Sequence, residues 1–381
     1  MKEALHTKLI RPQIKMTPEM QVDLDISKEK SRVAEITPLN ITCEIPLWVK
    51  EGKQWIINDK IMNDHEIFSL IKADLSKQNY AFIRQSQDLA IGGDKMNLIA
   101  YEAFMNKIMA EPIELEHSLI EYGPAIGDFC VLDRALYPGT KHIYKTGIDT
   151  LNLSRQHNEL GYGDIWPKYI SFLCVEPPVE GQGITALCCG QKIASALQER
   201  APVLMKRLLQ DGVRYIQLYL SDEGKQRECS LQGPEDYCHV APTWNHSFGT
   251  DDKNEAVKIC KQQGGWDTVE LQNDNCILVS RVRPVFLELK QTLFYFNAIV
   301  GFSKRPFREV THGNGDPFTS DEINLIEELQ QSEFMGAHYR KGDTLIVNNE
   351  KMMHGRTVRD MTKPREIAVV KGVARRRSNF K

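Results

Sequence analysis

The residues in this chain best suited to chemistry are two histidines and a glutamate. His157 and Glu159 are separated by one residue, and His354 lies far downstream. Residues two apart in a strand point to the same side, so an extended stretch over 156–160 lets His157 and Glu159 face one ion. Imidazole nitrogen and carboxylate oxygen suit a divalent first-row metal, and three ligands on one face leave the other coordination positions open. Each residue alone has a plainer reading: His157 as a core histidine with satisfied hydrogen bonds, Glu159 as a solvated carboxylate at a strand end. The chemistry therefore depends on the elements that bring the three together.

An apolar run at 345–347, bounded by Gly342-Asp343 and Asn348-Asn349, reads as a buried strand that delivers His354 to an opening. The apolar run 169–175 follows the His157 stretch closely. Arg365, eleven residues past His354, immediately precedes another apolar strand at 367–370. A hairpin returning from His354 sets that guanidinium beside the same opening, where it can grip a carboxylate through two parallel hydrogen bonds. Thr185, after the turn Gly181-Gln182-Gly183, can add a hydroxyl to the same carboxylate.

Further candidates around the opening are Arg356 and Arg359 after the distal histidine, Tyr162 and Trp166 after the proximal pair, and Lys145 before it. They are the candidate substrate-binding residues. For Tyr162 and Trp166 the competing reading is an aromatic packed in the core. Cys174 reads as a small buried hydrophobe rather than a ligand.

From about residue 125 the chain is a series of short apolar runs punctuated by glycine and proline: 130–132, 169–175, 184–188, 215–220, 277–279, 293–296, 345–347 and 367–370. That count predicts a mainly β fold with flanking helices, its core a double-stranded β-helix or jelly roll. Helices are expected after Asp64, with Ile67, Leu70, Ile71 and Leu75 on one face, and after Asp94, with Leu98, Tyr101, Met105 and Ile108. A third covers 191–209, kinked or split by Pro202 and ended at Gly212. The fourth begins at Thr319, where Thr319 to Glu322 makes a capping box. Residues 1–60 read as an irregular arm, and 61–381 as a single domain with a surface insertion or lid near 240–275.

With 48 Lys and Arg against 51 Asp and Glu, the net charge of −3 offers no electrostatic case for a nucleic-acid partner. The basic cluster Arg375-Arg376-Arg377 reads as a solvated tail, with contact to an anionic partner as the alternative. Nine cysteines without paired spacing point to reduced thiols. No run approaches the ~20 apolar residues of a membrane span, and the first residues lack a signal-peptide core. A soluble cytoplasmic enzyme without a membrane partner is expected; the sequence is silent on oligomeric state.

Taken together, these stretches resemble a known family. His157-Asn158-Glu159 with Phe172, Val175-Glu176-Pro177-Pro178 and Gly183-Ile184-Thr185 is similar to the segment around the first metal ligands in iron(II)- and 2-oxoglutarate-dependent oxygenases of the taurine dioxygenase and clavaminate synthase-like family. The likeness continues in order through Thr250-Asp251-Asp252-Lys253, Phe296-Asn297, Gly313-Asn314-Gly315 and Lys341-Gly342-Asp343 to His354, and covers roughly residues 65–372. It implies Fe(II) held by His157, Glu159 and His354, with 2-oxoglutarate bound by Arg365 and Thr185, and O2 as the second co-substrate. Glu159 stands where aspartate is commoner, although clavaminate synthase-like members often carry glutamate. Related halogenases have a small residue there, so a carboxylate argues against halogenation.

The function expected on this basis is hydrogen abstraction from a C–H bond of a small molecule, an amino-acid derivative of a specialised biosynthetic pathway being the candidate. Hydroxylation is the default, with oxidative cyclisation or desaturation as the runner-up. Two other classes fit parts of the pattern. A non-catalytic jelly roll binding a metal or small molecule needs no Arg365, and a zinc hydrolase leaves Arg365 and Thr185 unexplained.

Overall fold

The computed structural model describes residues 65–83, 98–109, 136–145, 154–223, 243–263, 266–272, 276–303, 308–337, 339–360 and 362–377. The expected arm at 1–60, the caps at Asp64 and Asp94 and the strand at 130–132 lie outside them.

Along the chain, helix α1 (His65–Gln78) and strand β1 (Tyr80–Ile83) precede α2 (Leu98–Met109). Strands β2 (Tyr144–Lys145), β3 (Ser154–His157), β4 (Ile165–Glu176) and β5 (Thr185–Cys189) lead into α3 (Gly190–Arg200) and α4 (Pro202–Asp211). Then come β6 (Val213–Tyr219), α5 (Trp244–Phe248), α6 (Lys253–Gln263), β7 (Thr268–Leu271), β8 (Ile277–Arg283), and the hairpin β9 (Phe286–Leu289) and β10 (Thr292–Tyr295). The chain continues through α7 (Ile299–Ser303), β11 (Arg308–His312), α8 (Ser320–Ser332), β12 (Met335–Ala337), β13 (Thr344–Asn348), β14 (Met352–Arg356) and β15 (Glu366–Arg376).

Two antiparallel sheets face each other and form the jelly-roll core. One has the order β1-β13-β4-β15-β2, the other β12-β5-β14-β3. Period-two alternation decides which side chains meet between them. Phe82, Ile170, Phe172, Leu187, Leu345, Val347, Met352, Ile367 and Val369 form one buried cluster drawn from both sheets. Their neighbours in sequence point outward to helices: Leu173, Ile346, Ala368 and Val370 pack with Ile71 and Leu75 of α1 and with Tyr101, Phe104, Met105 and Ile108 of α2. On the far side of the second sheet, Cys188 and Met353 pack with Ile193, Leu197, Leu204, Leu208, Ile326 and Leu329 from α3, α4 and α8.

Pro202 splits the expected long helix into two, sitting at the first turn of α4, where its missing N–H costs nothing. The capping box is present at α8, with the Thr319 hydroxyl accepting from the Glu322 N–H and the Glu322 carboxylate accepting from the Thr319 N–H.

The segment expected as a surface insertion or lid has its own apolar core: Trp244, Ala256 and Cys260 are buried against Tyr219, Ile277 and Val279. Its strand β7 is the edge of a third sheet, β11-β6-β8-β7. The arginine cluster is not a solvated tail. Arg375 and Arg376 pair with Trp166 and Ile165 at the end of β15, and Arg377 donates to the carbonyls of Gly161 and Gly163.

Because Leu345 is fully buried between the two facing sheets, Leu345→Ala is expected to lower unfolding free energy by about 2–5 kcal/mol. The shift of the urea midpoint measures it.

Candidate metal centre

His157 ends β3 and His354 lies in the middle of β14, and antiparallel pairing sets them directly opposite each other. Their rings are 4.5 Å apart between centroids. β3 lies close against β14 because Gly355 has no side chain: a Cβ there would stand 2.6 Å from the Ser154 carbonyl oxygen. The Nδ1 of His157 lies 2.8 Å from the Arg155 carbonyl oxygen. That contact makes Nδ1 the protonated nitrogen and leaves the Nε2 lone pair for an ion. Phe172 packs on the His354 ring at 5.0 Å.

Glu159 follows in the turn after β3, and its Oε2 lies 3.7 Å from the Nε2 of each histidine. The donor atoms of the three residues lie within 4.8 Å of one another. Two neutral imidazoles and one carboxylate, converging from a buried side, suit a divalent ion with positions left open.

Backbone bonds from three asparagines hold this turn in place, none of them singled out from sequence for that task. The Glu159 N–H donates to Asn349 Oδ1 at 2.7 Å, and Asn349 Nδ2 donates to the carbonyls of Glu159 and Pro167. Asn158 Nδ2 donates to the carbonyls of Asn349 and Met352. The N–H of Asn297 donates to Asn158 Oδ1. All three asparagines are buried. Asn349 is the second residue of the Asn348-Asn349 pair that bounds the apolar run of β13, a position at which asparagine reads as an ordinary turn former.

Lys371, also missed, is 1 % exposed and places Nζ 2.6 Å from Glu159 Oε1. The signal available for it was parity: Ile367, Val369 and Lys371 are two apart on β15, and the first two face the other sheet.

Arg365 and Thr185 form a second buried group. Arg365 Nε donates to the Gly183 carbonyl at 2.8 Å, and one terminal nitrogen lies 3.5 Å from the Thr185 hydroxyl. Gly183 has φ +56°, which favours glycine, and a Cβ there would crowd Arg365 Cδ at 3.0 Å. Tyr339 completes the group. Burial, foremost, pushes its phenol well above the ordinary range, and nearby Thr185 and Arg365 oppose that only in part. It is therefore a donor, beside the Thr185 hydroxyl.

The remaining candidates divide. Arg356 lies opposite Thr185 in the β14–β5 pair and lines a shallow cleft with Ser154, Arg155, Gln156 and Glu327. The cleft adjoins the ends of β3 and β14 but contains none of the three metal-site residues.

The other four have partners of their own. Arg359 donates to the Lys363 carbonyl and closes the turn before β15. Tyr162 packs against Tyr215 and Phe302. Trp166 is fully buried, donates to Glu350 and packs on Phe296. Lys145 is half exposed on β2 and pairs with Glu366. Cys174 is buried, and desolvation with the nearby Asp343 carboxylate pushes its thiol up to about 12.

The model of the taurine catabolism dioxygenase TauD, TfdA family matches residues 58–370. The chain belongs to this family. Among curated proteins, a clavaminate synthase-like protein of Arabidopsis thaliana is 21% identical over 220 residues, which is 55% of this chain and 62% of that relative's length. Among solved structures, a taurine dioxygenase from Burkholderia xenovorans is 11% identical with a TM-score of 0.43, covering 81% of this chain and 80% of its own. Asparagine oxygenase, solved with Fe(II), 3-hydroxyasparagine and succinate, is 11% identical with a TM-score of 0.44, covering 91% and 89%.

Replacing the clamp on Glu159 tests the site. Asn349→Ala is expected to weaken Mn(II) binding by about 10–100-fold, the usual effect of removing an outer partner of a metal ligand. Titration followed by electron paramagnetic resonance reads that loss.

Proposed function

We propose that this member of the family is an iron(II)- and 2-oxoglutarate-dependent oxygenase that removes hydrogen from a C–H bond of a small molecule. The observation that carries this reading is the pairing of an open-faced His157, Glu159 and His354 set with a separate buried cation and two hydroxyls, Arg365, Thr185 and Tyr339. A zinc hydrolase or a structural metal site has no use for the second group. A dicarboxylate cosubstrate uses both, one end at the metal and the other at the guanidinium.

When bound, iron(II) with 2-oxoglutarate and dioxygen supplies an oxidant able to take a hydrogen atom from carbon, with succinate and carbon dioxide as co-products. The chain's own residues bind and orient. His157 is fixed in tautomer by the Arg155 carbonyl, and the turn carrying Glu159 is held by Asn349. Arg365, positioned by the Gly183 carbonyl, anchors the distal carboxylate, with hydrogen bonds from Thr185 and Tyr339. Phe172, against His354, keeps the inner side of the site dry.

The substrate we assign is an amino-acid derivative, hydroxylated or else cyclised or desaturated. Support comes from the clavaminate synthase-like resemblance of the sequence and from Arg356, two residues past His354 on β14, a cation suited to a substrate carboxylate. A cytoplasmic setting agrees with Cys174, Cys188, Cys189 and Cys260 remaining thiols, and no described helix is long and apolar enough to cross a membrane.

Anaerobic iron(II) plus 2-oxoglutarate should give the protein a weak visible charge-transfer band. Arg365→Ala should reduce it at equal cosubstrate concentration, and Tyr339→Phe should raise the 2-oxoglutarate dissociation constant by roughly tenfold to a hundredfold, the loss of about one hydrogen bond to a charged group. Intact protein without the band would refute the assignment. The substrate class is checked separately, by whether amino-acid derivatives stimulate succinate formation.

A further inference from the structure

Lys371 is a partner of the metal set that neither coordination nor cosubstrate capture explains. It lies on the inward parity of β15, in line with Ile367 and Val369, where an aliphatic side chain would continue the cluster between the sheets. A buried ammonium is costly there unless it is paired. Nζ contacts Glu159 Oε1 at 2.6 Å, whereas Oε2 faces the Nε2 atoms of His157 and His354 at 3.7 Å each. The two oxygens of the carboxylate therefore have different neighbours.

We propose that Lys371 is a positioning residue that holds Oε1 of Glu159 and so presents Oε2 alone to the metal. This rests on the iron and 2-oxoglutarate reading above. Carboxylates bind metals through one oxygen or through both. With one oxygen from Glu159 and two imidazoles, a bound divalent ion would keep room for a keto acid binding through two atoms and for one further ligand. With both oxygens engaged, one of those places is lost. Lys371 opposes that second contact with a charge-assisted hydrogen bond from a fixed point on the neighbouring sheet.

The test uses the full-length protein with Mn(II), then Fe(II) without oxygen. Infrared difference spectra on adding Mn(II) to the unaltered protein should show a carboxylate bound through one oxygen; a two-oxygen signature overturns the proposal and requires no variant. Lys371→Met should bind Mn(II) within about threefold of the unaltered protein, while its 2-oxoglutarate affinity falls about tenfold, in the range known for outer partners of metal ligands, and its charge-transfer band weakens. Lys371→Gln, which keeps a donor for Oε1, should recover most of both.

Unchanged 2-oxoglutarate affinity in Lys371→Met overturns the proposal. So does a parallel fall in metal binding, 2-oxoglutarate binding and melting temperature, which marks a merely structural ion pair. If the unaltered protein itself binds neither Mn(II) nor 2-oxoglutarate, the oxygenase reading fails first, and the two failures remain distinct.

Discussion

The site depends on the register between β3 and β14. His354 opposes His157 across that ladder, and because side chains alternate faces along a strand, a slip of one residue would turn His354 toward the helices. The register is locked on both sides. Gly355 allows the close approach, and Met353 is sealed into the cluster with α3, α4 and α8. Glu159 lies beyond the ladder, where no strand pairing can hold it, and side-chain amides take over. Each such bond contributes only about 1 kcal/mol net, but together they leave the turn few alternatives.

The surrounding layers follow from the same alternation. β4, β13 and β15 are apolar on both faces, one toward the opposing sheet and one toward α1 and α2. A strand buried on both sides carries a polar group only where a partner waits for it. Such groups mark the chemistry here: Lys371 meets Glu159, and Arg365, just before β15, meets Gly183 and Thr185. The second sheet has the complementary arrangement, with Thr185 and His354 on adjacent strands.

Much of this was legible in the sequence, for physical reasons. His157 and Glu159 are close in the chain, although the extended stretch expected over 156–160 ends at His157 and Glu159 sits in the turn that follows, so nearness in the chain rather than strand parity joins them. The apolar runs preceding His354 and following Arg365 told which residues enter the core. What escaped notice depends on pairing between distant segments. Asn349 and Asn158 resemble turn residues until their partners are known. Lys371 appeared to end the strand at 370, although β15 runs to Arg376 because Glu159 satisfies the ammonium within it. The same limit works in reverse for Trp166, Tyr162, Arg359 and Lys145. Nearness in sequence to the metal set suggested a role, but Trp166 points into the core and Lys145 sits at a sheet edge.

β15 has an inflexible arithmetic. Ile367 and Val369 face one layer, Ala368 and Val370 the other, and Gly372 lies so close to Met109 that a Cβ there would stand 2.4 Å from its sulfur. Inserting a single residue after Val370 would send the ammonium toward α2 and drive a side chain into the space Gly372 leaves empty. Length variation in this part of the molecule is thereby confined to the connection between β14 and β15, where the backbone can lengthen without exchanging the two faces.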